Sequence, residues 1–203
     1  MTPLRWQSLL HDLGAPPDDI TLARLKAAYG ERHRAYHTAE HIAACLTLFD
    51  EWRGLAHEPA EVACALWFHD AVYNPSSSNN EEMSAGWAAE FLAHHGADAG
   101  RIERVRQLIL ATRHAAEPPA GDAQFVVDID LAILGSEPEA YARFEAQVRQ
   151  EYHWVPAFIF KHKRREILRS FLERPQIYAT AAAFERFEAA ARRNLGRSID
   201  ALS

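Results

Sequence analysis

Three observations predict an all-α fold, a helical bundle forming a single domain over residues 1–203. Apolar residues recur at the spacing of an amphipathic helix through almost the whole chain, as with Ile42, Leu46 and Phe49. Helix-start and helix-end residues bracket these segments. The length of 203 residues and the hydrophobic content of 48% suit one domain with a substantial core.

Capping residues, prolines and glycines define the helix boundaries. Asp18 or Asp19 can cap the second helix, Thr38 the third, and Asn79 or Asn80 the fifth, because their side-chain oxygens accept hydrogen bonds from free backbone N–H groups. Prolines open the fourth, eighth and ninth helices, and glycines end the second, fifth and seventh. The predicted helices cover residues 4–13, 20–29, 39–52, 59–69, 81–95, 99–115, 124–134, 138–152, 156–172 and 180–195.

The stretch 124–134 is the one ambiguous element. Its β-branched residues would suit a strand. A strand needs partners, however, and no other segment has the pattern of one. We therefore predict a buried helix ended by Gly135. The choice affects Asp128 and Asp130, which share a face on a strand but point about 200° apart on a helix, so that only one can reach a common site.

Charge and composition exclude several classes of protein. The formal charge of −6 argues against a dedicated nucleic-acid-binding domain, which would be basic. No apolar run is long enough to span a membrane and no signal-peptide pattern is evident, so we expect a cytoplasmic protein. Cys45 and Cys64 lie in apolar helical segments, and we expect buried thiols rather than a disulfide framework or a zinc knuckle.

Histidines concentrate around the start of the third helix. The chain has 11 histidines, and histidine is the commonest metal ligand and a general acid or base near neutral pH. His37 and His41 lie four residues apart, so both imidazoles can face one pocket. The alternative for this pair is two surface histidines near a helix start.

His69, Asp70 and Asp130 lie in or directly after the most apolar helical segments. A buried carboxylate is costly unless it is paired or bound to a cation. With His41, these residues provide imidazoles and carboxylates that suit a first-row divalent metal. A hydrogen-bonded His-Asp pair is the alternative for His69 and Asp70, and Asp128 is the alternative to Asp130.

The ordered set His41, His69-Asp70 and Asp130 resembles the H…HD…D signature of the HD superfamily of metal-dependent phosphohydrolases. Residues 36–41 are similar to the YHNxxH element of cyclic-nucleotide phosphodiesterases, distant members of that superfamily, with Thr38 in place of Asn. The chain is more closely similar to a bacterial group described as predicted HD-superfamily phosphohydrolases. That resemblance covers nearly the whole chain, through residues 36–42, 67–73, 80–85, 128–135 and 193–195.

The resemblance implies an HD-type helical domain and a role for each of these residues. His41, His69, Asp70 and Asp130 would bind one or two divalent metal ions per site, with Asp70 bridging two. The metal would be Mg, Mn, Fe, Co, Ni or Zn. His37 would be the general acid that protonates the leaving oxygen, a role that suits an imidazole with a pKa near neutrality.

Four other residues are further candidates. Glu81 is in a position to orient a water at the metal. The alternative, which applies to both Glu81 and Glu82, is that an acidic residue in the first turn of a helix is favoured by the helix dipole. His114 is a candidate for a second metal or the phosphate, or it simply suits a helix C-terminus. Arg164 is the member of the basic cluster 161–165 expected to grip a phosphate, and the other members are expected to be solvated.

The leading hypothesis is a metal-dependent phosphohydrolase that acts on a small phosphate ester, with nucleotides among the candidate substrates. One alternative is a catalytically silent metal- or nucleotide-binding regulatory module. Another is a di-iron oxygenase, as some proteins with this fold are. We expect a small phosphorylated substrate as partner, with no nucleic-acid polymer and no membrane, and a homodimer is among the assemblies considered.

Overall fold

The computed structural model describes residues 1–114 and 117–202 and confirms an all-α fold. Within those ranges there is no strand, and no helix is both long and apolar enough to cross a membrane. The α-helices are α1 (Pro3–Leu13), α2 (Asp19–Tyr29), α3 (Ala39–Trp52), α4 (Pro59–Phe68), α5 (Asn80–His94), α6 (Ala99–Ala111), α7 (Asp122–Asp130), α8 (Pro138–Glu151), α9 (Ala157–Leu172) and α10 (Ala181–Ala201). Short 3-10 helices, Arg53–Leu55 and Leu131–Gly135, follow α3 and α7 directly.

The chain divides into two compact units, Met1–Val127 and Asp128–Ser203. The boundary falls within α7. Each unit has its own buried apolar residues. The sequence-based expectation of a single domain stays a prediction.

Helix α4 lies in the core of the first unit. All of its residues from Glu61 to Phe68 are buried. The ring of Trp67 lies 5.1 Å from that of Trp6 in α1, and the ring of Phe68 lies 5.2 Å from that of Phe91 in α5. Because packed aromatic rings contribute both buried area and specific edge and offset contacts, the end of α4 is held firmly. His69 and Asp70 directly follow this well-packed end of α4.

In the second unit, the 3-10 helix Leu131–Gly135 packs against α10. Asn194 of α10 donates from Nδ2 to the carbonyl oxygens of Leu134 and Ser136, both at 2.8 Å. Tyr178, just before α10, donates from its hydroxyl to the Leu131 carbonyl at 2.9 Å. These side chains satisfy carbonyl groups that a short 3-10 helix leaves without helical partners.

Most predicted boundaries are confirmed to within a residue or two, and three differ. Helix α6 ends at Ala111, before its predicted end at Ala115, a residue outside those that the structure describes. Helix α10 continues to Ala201 instead of ending at Leu195. The predicted helix 124–134 tightens to 3-10 geometry after Asp130, and Gly135 is the last residue of the 3-10 segment.

The predicted caps are confirmed for two helices. Asp18 Oδ1 accepts from the Thr21 N–H at 2.8 Å at the start of α2, and Thr38 Oγ1 accepts from the Glu40 N–H at 3.3 Å at the start of α3. Asn79 occupies the cap position of α5 but makes no side-chain capping bond there. Asn80 instead binds the backbone of Asn74 through both its amide oxygen and its amide nitrogen.

Candidate metal centre

Two imidazoles and one carboxylate converge in the first unit. His41 lies in the first turn of α3, and His69 and Asp70 form the turn after α4. The Nε2 atoms of His41 and His69 are 3.2 Å apart. Asp70 Oδ2 lies 3.2 Å from His69 Nε2 and 3.5 Å from His41 Nε2. The three atoms therefore form a small triangle with sides of similar length.

This triangle has the dimensions of a set of metal ligands. Atoms bonded to one ion at about 2.0–2.2 Å lie roughly 2.9–3.5 Å from one another, depending on the coordination angle. All three separations, 3.2, 3.2 and 3.5 Å, fall in this range. His41 Nε2, His69 Nε2 and Asp70 Oδ2 are thus close enough together to be ligands of one ion. Two imidazoles with carboxylate suit a first-row divalent ion.

His69 is oriented by a bond from its other ring nitrogen. Its side chain is buried, and Nδ1 lies 3.1 Å from the Leu66 carbonyl oxygen. Because a carbonyl oxygen only accepts hydrogen bonds, Nδ1 is the donor of this bond, and Nε2 is the ring nitrogen that faces His41 and Asp70. Metal-binding histidines in proteins are typically held in this way. Nε2 of His69 is therefore the atom of this ring that is positioned to bind a metal.

Asp70 is ionised beside these histidines. Burial by itself would raise the pKa of its carboxyl group, but the neighbouring His69, His37 and His41 hold that pKa well below its usual range. A carboxylate that is anionic at neutral pH can bind a cation without first losing a proton. Asp70 is therefore suited to be the anionic ligand of the group.

His37 lies beside the triangle but outside it. It precedes the cap of α3, and its side chain is partly exposed. Its ring stacks on that of Tyr73, with centroids 4.2 Å apart and an interplanar angle of 26°. Its centroid lies 6.2 Å from that of His41. An imidazole in this position is next to the candidate ligands and open to a molecule that approaches from solvent.

No family model, curated protein or solved structure matches the chain. The resemblance to the HD superfamily therefore stays a prediction, and the geometry of the site has to support any function by itself.

Asp128, the alternative to Asp130, has both carboxylate oxygens engaged within the second unit. Oδ1 accepts from the Ala179 N–H at 3.0 Å, and Oδ2 accepts from the N–H and the hydroxyl of Thr180, each at 2.7 Å. Thr180 is the cap of α10. Burial raises the pKa of Asp128, and these three hydrogen bonds explain how the buried carboxyl is accommodated. Asp130, the last residue of α7, is half-buried and stays the predicted ligand.

The acidic first turn of α5 is paired with Arg113, just after α6. The Arg113 guanidinium pairs with Glu82, and its Nε lies 3.7 Å from Glu81 Oε2. The next residue, His114, has a positive φ of 55°, which is uncommon outside glycine and marks the turn after α6. The catalytic role predicted for Glu81 and the ligand role predicted for His114 stay predictions.

Arg164 is engaged within the second unit. Its Nη2 and Nε donate to the two carboxylate oxygens of Glu145, at 2.6 and 3.1 Å. Its guanidinium also lies 5.2 Å from the ring centroid of Phe144. The planar fork that was predicted to bind phosphate thus binds a carboxylate that joins α9 to α8. Its role toward a phosphate stays a prediction.

Two residues that were not predicted from the sequence, Cys45 and Arg34, touch the candidate site. Cys45 Sγ lies 3.7 Å from His41 Nδ1, and the spacing of four residues on one helix was the available signal. Arg34, in the loop before α3, is buried and donates to the carbonyl oxygens of His37 and Asp70. A single charged residue in a loop has no periodic pattern, so the sequence contains no comparable signal for Arg34.

Proposed function

We propose that this protein is a metal-dependent phosphohydrolase that acts on small phosphate esters, nucleotides among them. The observation that carries the proposal is the triangle formed by the buried His41 and His69 with Asp70, with the imidazole of His37 beside it. A purely structural metal site needs ligands alone. An additional, partly exposed imidazole next to them suits proton transfer to or from a bound substrate.

In this proposal, His41 Nε2, His69 Nε2 and Asp70 Oδ2 bind the metal and Asp130 supplies a further carboxylate. Asp130 is preferred to Asp128 because the oxygens of Asp128 are already hydrogen-bonded to Ala179 and Thr180. When bound, a divalent ion activates water and offsets charge on phosphoryl oxygens. The second oxygen of Asp70 would be available to a second ion if the site holds two.

His37 is proposed as the general acid. Its stacking on Tyr73 holds the ring in place, and its partial exposure leaves the ring accessible to a substrate. In its protonated form, the imidazole donates a proton to the alkoxide oxygen that leaves phosphorus, so that the ester oxygen departs as an alcohol. General acid catalysis of this kind contributes about 10²–10⁴-fold to a rate.

The test is to purify the protein, measure its metal content, and assay it against a panel of phosphate monoesters and diesters with each divalent ion in turn. We expect hydrolysis that depends on metal. Asp70→Ala should lose both metal and activity. His37→Gln should retain metal and lose about 10²–10⁴-fold in kcat. His57→Gln is the matched control because His57 is an exposed histidine in the same unit, and it should behave as the wild type.

Three results would overturn the proposal. Metal retained with no turnover of any ester would indicate a silent binding module. Two irons per chain with oxygen consumption would indicate an oxygenase. Unchanged hydrolysis in Asp70→Ala would show that the activity lies elsewhere.

A further inference from the structure

Arg34 is a buried cation in the loop between α2 and α3. Its side chain has no exposed surface. A guanidinium cannot lose its charge at ordinary pH, so its burial is costly unless its N–H groups all find partners. We therefore expect Arg34 to have hydrogen-bond partners that offset the cost of its burial.

The partners of Arg34 lie on the two segments that carry the candidate site. Nη1 donates to the carbonyl oxygens of His37, at 3.0 Å, and Asp70, at 2.7 Å. Nη2 donates to the Ala71 carbonyl at 3.1 Å, and Nε donates to Glu31 Oε2 at 3.0 Å. One side chain thus joins the backbone of the proposed general acid to the backbone of the proposed anionic ligand.

Aromatic and histidine contacts complete this connection. The Arg34 guanidinium lies 5.5 Å from the ring centroid of Tyr73, the ring on which His37 stacks. His33 Nε2 lies 2.8 Å from the Tyr73 carbonyl oxygen and donates to it. The loop before α3 is therefore attached to residues 70–73 at several points, and Arg34 is the residue that contacts both sides through charge-assisted hydrogen bonds.

We propose that Arg34 is a positioning residue: it fixes His37 relative to Asp70 and so sets the distance between the proton donor and the ligand triangle. The expected effect of Arg34 on catalysis rests on the proposed function. Its effect on the position of His37 rests only on the four hydrogen bonds. Arginine is required because its planar fork spans three carbonyl groups on two segments. The single nitrogen of lysine cannot reach all of them.

The test compares Arg34→Gln and Arg34→Lys with Arg32→Gln, an exposed arginine of the same loop. The first readout is the affinity for Zn²⁺ or Mn²⁺ alone, measured by calorimetry well below the melting temperature. We expect Arg34→Gln to bind the metal about 10–100-fold more weakly, as is typical when a group that orients ligands is removed. Arg34→Lys should recover part of the loss, and Arg32→Gln should match the wild type.

The second readout is the NMR spectrum of the His37 ring protons, which does not depend on metal. Stacking on Tyr73 shifts these protons upfield in the wild type, and that shift should be lost in Arg34→Gln and kept in Arg32→Gln. If Arg34→Gln does not fold, both measurements are made on Arg34→Lys instead.

The outcomes separate the two proposals. If the wild type binds no divalent metal, the proposed function fails, and the His37 shift still decides the role of Arg34. A wild type that binds metal, together with an Arg34→Gln variant that binds it equally well and keeps the His37 shift, would overturn the positioning role. In that case Arg34 would contribute to stability alone.

Discussion

At the scale of single residues, the chemistry of the candidate site depends on which atoms are already engaged. His69 donates from Nδ1 to the Leu66 carbonyl, so Nε2 is the ring nitrogen that faces His41 and Asp70. Asp70 is surrounded by imidazoles that favour its ionised form. Asp128 is buried as deeply as His69, but its carboxylate accepts hydrogen bonds from residues at the start of α10. Residue type alone does not distinguish a ligand from a capping residue, whereas the hydrogen-bond partners do.

The two aspartates of α7 should respond differently to the same substitution. Asp128→Asn places an amide N–H₂ against backbone N–H donors, so we expect the free energy of unfolding to fall by about 1–3 kcal/mol, with unchanged metal affinity. Asp130→Asn removes a proposed anionic ligand, so we expect metal affinity to fall by more than about tenfold. Urea unfolding and calorimetric titration measure the two effects.

The reverse pattern would reassign the ligand. If Asp128→Asn loses metal affinity and Asp130→Asn does not, Asp128 belongs to the metal site, and the hydrogen bonds to Ala179 and Thr180 do not represent the metal-bound protein.

At the scale of elements, close approach of backbones determines where the 3-10 helix Leu131–Gly135 meets α10. A Cβ atom on Gly135 would lie 2.5 Å from Cβ and 2.8 Å from the carbonyl oxygen of Phe187. Both distances are too short for any side chain. The glycine that the sequence identified as a helix-ending residue therefore also permits contact between two elements of the second unit.

Substitution of Gly135 should be much more costly than that of another glycine. We expect Gly135→Ala to lower the free energy of unfolding by about 1–3 kcal/mol, because α10 has to shift away. Gly86→Ala is the control, since Gly86 lies within α5 and an added Cβ meets no atom within 4 Å. That variant should gain about 0.4–1 kcal/mol from lower entropy of the unfolded chain. Equal stability of the two variants in urea would contradict the close approach.

At the scale of the whole molecule, a bound metal would add to stability by mass action. Whatever binds the folded chain and not the unfolded chain stabilises it, by about 2.7 kcal/mol when the free ligand is at 100 times Kd. The two buried imidazoles and the carboxylate of the triangle belong to α3 and the turn after α4. Unfolding of the first unit separates these residues, so binding is lost with the fold.

Removal of metal should therefore lower the melting temperature. For a chain of this length, we expect a chelator to lower Tm by roughly 5–10 °C from its value at saturating metal. Asp70→Ala should show no such difference between metal and chelator. Differential scanning calorimetry of both proteins, with and without chelator, makes the comparison. An equal effect of chelator on the variant and the wild type would place the bound metal outside the triangle.

The sequence by itself determined the helical class, most helix boundaries and the residue types at the candidate site. Helix α3 begins and ends at its predicted residues, and Asp18 and Thr38 cap as predicted. These features depend on neighbours within one or two turns, so periodicity and capping rules are enough to predict them.

Only the tertiary structure decided which atoms meet. It brings His41 Nε2 within 3.2 Å of His69 Nε2. Asp128 accepts hydrogen bonds at the start of α10, and Arg34 donates to the backbone carbonyls of His37 and Asp70. The physical reason is that these contacts join residues far apart in the chain. The packing of whole helices sets their distances, and no local pattern records them.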